Sequence, residues 1–142
     1  MFCDVNEVFV YESYTSSQVL ALLSRAFTLY IDNDVFLAMP RLQKGTVGLE
    51  FFQEPQAVAS ERLEGLMVER ERVLVDAYAL IAWNLAHPEY SVLCPNGTQW
   101  RNASGDFCYV AFWAHEGNRN IAIAENPGLW QPKWTFALYG GR

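Results

Sequence analysis

The sequence predicts an α+β fold in which a mainly antiparallel C-terminal sheet packs against one long helix. Before residue 87, apolar residues recur at steps of three and four, which is typical of helices. After residue 91, aromatic and β-branched residues cluster between turn residues, which is typical of strands. The chain has 142 residues, of which 51% are hydrophobic and 18% charged, a composition of folded proteins. We therefore expect one two-layer domain over residues 1–142, completed by an N-terminal strand and helix.

The first part of the chain predicts a strand, a helix and two further strands. Residues 5–11 alternate well enough for a strand, and Ser16 and Ser17 are N-cap candidates for a helix over residues 18–30. Residues 35–39 predict a short strand that ends at Pro40, and residues 46–53 predict another strand. The predicted helix has one apolar face, formed by Val19, Leu22, Leu23, Ala26, Phe27 and Tyr30.

Residues 55–86 carry the strongest helical pattern of the chain. One face stays apolar for several turns, and residues 73–85 are apolar nearly all round, which indicates burial on two sides. Gly65 is where a break is expected, because glycine costs about 1 kcal/mol relative to alanine inside a helix. Pro88 ends the helix, because the residue before a proline disfavours helical backbone.

Four aromatic-rich segments predict the C-terminal sheet: residues 98–102, 106–115, 120–125 and 133–139. Both faces of the segment 106–115 are apolar, so we expect a central strand that is covered on both sides. The long helix can cover only one of these faces. The loop that carries Trp130, a ligand or another chain would cover the second face, and the sequence leaves these alternatives open.

The aromatic residues of this half are the candidates for a pocket or an interface. Tryptophan and tyrosine bury a large area and still carry a polar group. His115, at a strand end, and Glu125, after an apolar strand, are the candidate polar groups, although either could simply bond a neighbouring loop. The candidate residues are Trp100, Tyr109, Trp113, His115, Glu125, Trp130 and Trp134.

No residue set in the sequence predicts catalysis, a cofactor or a metal site. Cys108 and His115 lie seven positions apart on one predicted strand, so they should face opposite sides of the sheet. The chain has no nucleophile elbow, no glycine-rich phosphate loop and no Cys or His pair at metal-ligand spacing. Its three cysteines favour free thiols, and with no signal peptide or membrane span expected, we predict a soluble cytoplasmic protein.

The net charge of −6 comes from residues 1–90, which carry −7 while residues 91–142 carry +1, and it argues against a general nucleic-acid binder, which must neutralise phosphates. Instead, we expect a small acidic non-catalytic protein that binds another protein, such as an inhibitor, immunity protein or adaptor. The partner is expected to be basic, because acids on the central helix could steer it electrostatically. These steering acids are Glu61, Glu64, Glu69 and Asp76.

Two further expectations concern the aromatic surface. The alternative function is a small-molecule-binding domain or minor enzyme with an aromatic-lined pocket between sheet and helix. We also expect a homodimer, because the apolar faces need more cover than 142 residues provide. Trp83, Trp113 or Trp130 would then lie near the contact between the two copies.

Overall fold

A mixed seven-stranded sheet forms the centre of the fold. A computed structural model describes residues 6–10, 14–42 and 45–140. The strands are β1 (Asn6–Val10), β2 (Thr28–Ile31), β3 (Gly45–Gln53), β4 (Val58–Ala59), β5 (Asn96–Arg101), β6 (Phe107–His115), β7 (Asn118–Glu125), β8 (Leu129–Trp130) and β9 (Thr135–Tyr139). The helices are α1 (Ser16–Ala26), α2 (Asn33–Leu37), α3 (Ser60–Glu69), α4 (Ala77–Ala86) and α5 (Tyr90–Leu93).

The sheet order is β1-β3-β9-β5-β6-β7-β2, and β4 and β8 form a separate two-stranded ribbon. Most neighbours in the large sheet are antiparallel, but β5 runs parallel to β9 and β2 runs parallel to β7. The predicted α+β class is therefore confirmed, as are the four C-terminal strands, with small shifts at their ends.

Helices lie on both faces of this sheet. The side chains of β3 alternate, so Phe51 joins the core beneath α1 and α4, and Phe52 joins a second core beneath α3. The ribbon formed by β4 and β8 packs beside α3 on this second face through Val58 and Trp130. We call the side with α1 and α4 the helix face, and the side with α3 the ribbon face.

The prediction of one long helix is wrong, and the break is not at Gly65. Helix α3 ends where Glu71 adopts a left-handed backbone with φ of 53°. The Arg72 N–H then donates to the Met67 carbonyl at 3.0 Å and the Glu71 N–H to the Val68 carbonyl at 3.2 Å, a Schellman pair that stops a helix. Asp76 starts α4 as its N-cap.

Residues 73–75 are extended between these helices and carry the chain from one face of the sheet to the other. The Val75 N–H donates to the Ala137 carbonyl, and the Tyr139 N–H donates to the Val73 carbonyl, both at 3.0 Å. The Thr98 hydroxyl donates to the Val75 carbonyl at 2.7 Å. Because Thr98 is in β5 and Ala137 in β9, this segment crosses the sheet between these two strands.

Three N-terminal predictions also need correction. The predicted helix 18–30 ends at Ala26, and residues 28–31 form β2 because their backbone pairs with β7. The predicted strand 35–39 is instead mostly α2, which Asp32 caps by accepting from the N–H groups of Asp34 and Val35. The N-cap of α1 is Thr15, not Ser16 or Ser17, in a capping box with Gln18. Cys3 and the predicted strand ends Val5 and Tyr11 lie outside the described residues.

Candidate functional site

An open groove on the ribbon face brings together four of the predicted aromatic residues. It has a volume of about 270 Å³, and small side chains, Ala111 and Ala122, form its floor. We call it the aromatic groove. Its walls are Tyr109, Trp113, Pro127, Leu129, Trp130, Gln131 and Trp134.

The strand register explains why the floor is shallow and the walls are aromatic. Ala111 of β6 lies opposite Ala122 of β7, and both side chains point to the ribbon face. Tyr109 and Trp113 lie two positions to either side of Ala111 on the same strand, so they also point to this face. Burial raises the pKa of Tyr109, so its phenol stays neutral at physiological pH.

Trp130 forms the inner wall of the groove and is held rigidly. Its side chain is only 5% exposed, and its Nε1–H donates to Gln99 Oε1 at 2.8 Å. Gln99 in turn donates from Nε2 to the Ser60 carbonyl at 2.8 Å. The ring packs directly on Gly97, where an added Cβ would lie 2.7 Å from Trp130 Cη2. Trp130 therefore covers the β5 part of this face as core.

Tyr30 lies beside the groove, on the outer side of Trp113, and does not line it. Its ring stacks on Trp113 with 6.1 Å between centroids and 27° between planes, and it is 58% exposed. The predicted helix 18–30 includes Tyr30, so nothing in the sequence places Tyr30 beside Trp113. The signal that could have indicated a strand is the β-rich order Thr-Leu-Tyr-Ile.

Trp100 and Glu125 lie on the opposite, helix face. Trp100 pairs with Cys108 across β5 and β6, and Cys108 pairs with Glu125 across β6 and β7. Together with Asn102, Asp32 and Asp34, they line a cavity of about 200 Å³. Burial, followed by the charge of Glu125, raises the pKa of the Cys108 thiol, which disfavours the reactive thiolate.

His115 is separated from all these groups. Its side chain is 75% exposed at the end of β6, and Nε2 lies 3.0 Å from Glu116 Oε1. Cys108 is 2% exposed and lies an odd number of residues away on the same strand, so its thiol points to the other face. These two residues therefore do not form a nucleophile and base pair.

The four predicted steering acids have different surroundings. Asp76 is only 4% exposed, because its carboxylate accepts from the N–H groups of Ala79 and Leu42, so it cannot steer a partner at the surface.

Glu69 pairs with Arg62 at 2.9 Å. Glu64 makes a two-point contact with Arg101 at 2.8 and 2.9 Å, and this hydrogen bonding lowers the pKa of Glu64. Glu61 is exposed in the first turn of α3.

A further cavity lies between the sheet and the helices. It measures about 300 Å³ and is mainly apolar, with walls from β1, α1 and α4, including Tyr78, and from Tyr14, which precedes α1. The sequence placed an aromatic-lined pocket between sheet and helix, but neither Glu125 nor His115 lines this cavity.

Several structural features bear on the remaining expectations. Cys94 and Cys108 are free thiols. Within residues 6–10, 14–42 and 45–140, no three His, Cys, Asp or Glu side chains converge to hold a metal ion. No helix in these ranges has the length and apolar character that crossing a membrane requires.

Of the three tryptophans expected near a dimer contact, Trp83 and Trp130 are buried in the core, at 6% and 5% exposure. Trp113 is partly exposed.

Comparison of the chain with protein-family models, with curated proteins and with solved structures gives no match.

Proposed function

We propose that this chain is a non-catalytic protein-binding module and that its aromatic groove receives an apolar side chain of a partner protein. The observation that carries the proposal is the groove itself. Trp113, Trp134 and Tyr109 stand around a floor of two alanines, and none of the residues that line the groove belongs to a described helix. Binding energy at protein interfaces concentrates in such aromatic-walled depressions.

The size of the groove favours a protein over a cofactor. Sites for small molecules of ordinary size measure about 300–1,000 Å³. The groove measures about 270 Å³ and is open on one side, so it fits one bulky side chain whose backbone remains outside. Neither candidate polar residue, His115 or Glu125, lines an apolar cavity, which disfavours the alternative of a small-molecule pocket or minor enzyme.

Charge supports a basic partner. The net charge is −6. Glutamates around α3 and β3 form ion pairs with Arg62, Arg70, Arg72 and Arg101. By contrast, no described lysine or arginine lies within ion-pair distance of Asp32, Asp34 or Glu125. We infer that these three carboxylates, rather than the acids of α3, provide the field that speeds the approach of a basic protein. The free thiols are consistent with a cytoplasmic setting for this encounter.

The test is a comparative capture from lysate of the native host, read by quantitative mass spectrometry. Ala122→Leu fills the groove from its floor, and Trp113→Ala removes a wall. With both variants, the recovered amount of one captured protein should fall at least about tenfold, since a central anchor contributes 2 kcal/mol or more. Val68→Ala is the matched control, because Val68 is 75% exposed on α3 outside the groove.

The result expected is one protein retained by the parent chain and by Val68→Ala but lost by both groove variants. Its retention should also fall with added salt, because screening weakens the attraction between unlike charges. A protein that all four chains retain equally would contradict the proposal, as would the absence of any specifically retained protein.

A further inference from the structure

The outer edge of β2 carries backbone groups that face away from the sheet. Among the strands of the described residues, β2 is the last on its side of the large sheet, with β7 as its neighbour. The Asp32 N–H, just after β2, donates to the Ile123 carbonyl of β7 at 2.8 Å. Because successive residues of a strand direct their backbone groups to alternate sides, Thr28 and Tyr30 also face β7. The N–H and carbonyl groups of Leu29 and Ile31 therefore face outward.

This edge has few of the features that normally protect edge strands. Proteins protect such edges with lysine, proline, bulges or covering loops, because an open strand pairs readily with another. β2 contains neither lysine nor proline, and Tyr30 is 58% exposed on it. Its length of four residues limits the pairing to a short, defined register.

We propose that a second copy of this chain adds antiparallel to β2, with the two Tyr30 residues meeting on the two-fold axis. Leu29 then lies opposite Ile31 of the second copy, and their outward N–H and carbonyl groups bond to each other on both sides of the axis. Between these two bonded pairs, Tyr30 of one copy lies opposite Tyr30 of the other in a non-hydrogen-bonded pair, the kind in which cross-strand side chains come closest. Since Tyr30 already stacks on Trp113, the contact creates a continuous row of four aromatic rings.

Opposite charges at the two ends of β2 favour a second copy of this chain as the strand that pairs with its edge. Arg25 is exposed in the last turn of α1, just before β2, and Asp32 and Asp34 are exposed just after it. An antiparallel two-fold arrangement places the start of one strand beside the end of the other, so Arg25 approaches Asp34 of the second copy twice. A parallel arrangement would instead place like charges together.

This association does not depend on the proposed function. The edge of β2 lies outside Tyr30, whereas the aromatic groove lies inside it, between Trp113 and Trp130. The monomer could bind a partner protein through the groove even if the edge never paired, and the edge could pair without a partner in the groove, although both proposals draw on the charge of Asp34.

The first test is the mass of the purified chain by sedimentation equilibrium. We expect a dimer, of twice 16.2 kDa, at hundreds of micromolar, with dissociation on dilution. Tyr30→Lys places two ammonium groups on the axis and should weaken the dimer at least about tenfold. Tyr30→Phe is the control that keeps the ring and should dimerise like the parent chain, with circular dichroism to confirm that all three chains are folded.

The second test measures proximity directly and can trap a dimer that is only weakly populated. Tyr30→Cys should form an intermolecular disulfide under mild oxidation, because paired residues at that position fall within disulfide reach. Val68→Cys, on α3, is 75% exposed in the parent chain and should remain uncross-linked above the background of the native cysteines.

Three results would overturn the proposal: a mass of 16.2 kDa at every concentration, a dimer that Tyr30→Lys leaves intact, or equal cross-linking at positions 30 and 68. Protection of the β2 amides from hydrogen exchange only when a different protein is added would also overturn it, and would assign the edge to that protein.

Discussion

Trp130 can pack deeply against the sheet because residue 97 has no side chain. A Cβ at Gly97 would lie 2.7–2.8 Å from two Trp130 ring atoms and 3.0 Å from the Val110 carbonyl, with rigid groups on every side. Gly97→Ala should therefore lower the free energy of unfolding by about 1–3 kcal/mol. In the same urea titration, Gly65→Ala should be neutral or stabilising by up to about 1 kcal/mol, because its added Cβ meets nothing within 4 Å in a helix. Equal effects at the two positions would contradict the packing described for Trp130.

The two described cysteines should differ in reactivity. Cys108 is 2% exposed and burial raises its pKa, whereas Cys94 is half-buried. At pH 8 we expect iodoacetamide to modify Cys94 well before Cys108, which should react on the timescale of unfolding. Because the pKa of the Cys108 thiol is higher in the folded than in the unfolded protein, the thiol ionises at a lower pH when the chain is unfolded. The stability of the fold should therefore fall as the pH rises above about 8.5. Rapid labelling of Cys108 in the folded protein would contradict its placement.

Asp76 connects three elements and should matter more for stability than its expected role as a surface acid implies. Its carboxylate caps α4 through the Ala79 N–H and also holds the Leu42 N–H, and its own N–H donates to the Tyr139 hydroxyl. Asp76→Ala should cost at least about 1–2 kcal/mol in a urea titration, because two backbone donors lose their acceptor. Asp76→Asn, which keeps an acceptor oxygen, should cost clearly less. An alanine variant as stable as the parent chain would show that the cap contributes nothing.

At the level of elements, local patterns predicted the strands better than the helix ends. Strands β5, β6, β7 and β9 combine β-branched and aromatic residues with turn residues, and these signals are all local. The break between α3 and α4 was missed because its apolar residues suit both a helix and the extended crossing between β5 and β9. The capping residue Asp76 was visible in the sequence, but it was interpreted as a surface charge. Similarly, β2 forms because its backbone pairs with β7, and the hydrophobic periodicity of the sequence gives no information about such a long-range pairing.

Across the whole molecule, the sequence predicted which residue types form the candidate site but not which face holds each of them. Tyr109, Trp113, Trp130 and Trp134 do surround one groove, since Tyr109 and Trp113 share one face of β6, Trp130 lies on β8 and Trp134 lies between β8 and β9. Trp100 and Glu125 fell on the opposite face, because strand parity across β5, β6 and β7 depends on a register that only the folded sheet fixes.

The central claim is that the aromatic groove binds a partner protein, and the dissociation constant of that pair tests it most directly. The protein captured by the parent chain would be purified and titrated against the parent, Ala122→Leu and Val68→Ala by isothermal calorimetry. We predict that Ala122→Leu weakens binding at least about tenfold, since it occupies the space of the inserted side chain while leaving the surface charges unchanged. Val68→Ala should bind like the parent chain. An unchanged dissociation constant for a folded Ala122→Leu variant would contradict the claim, because the partner would then bind without entering the groove.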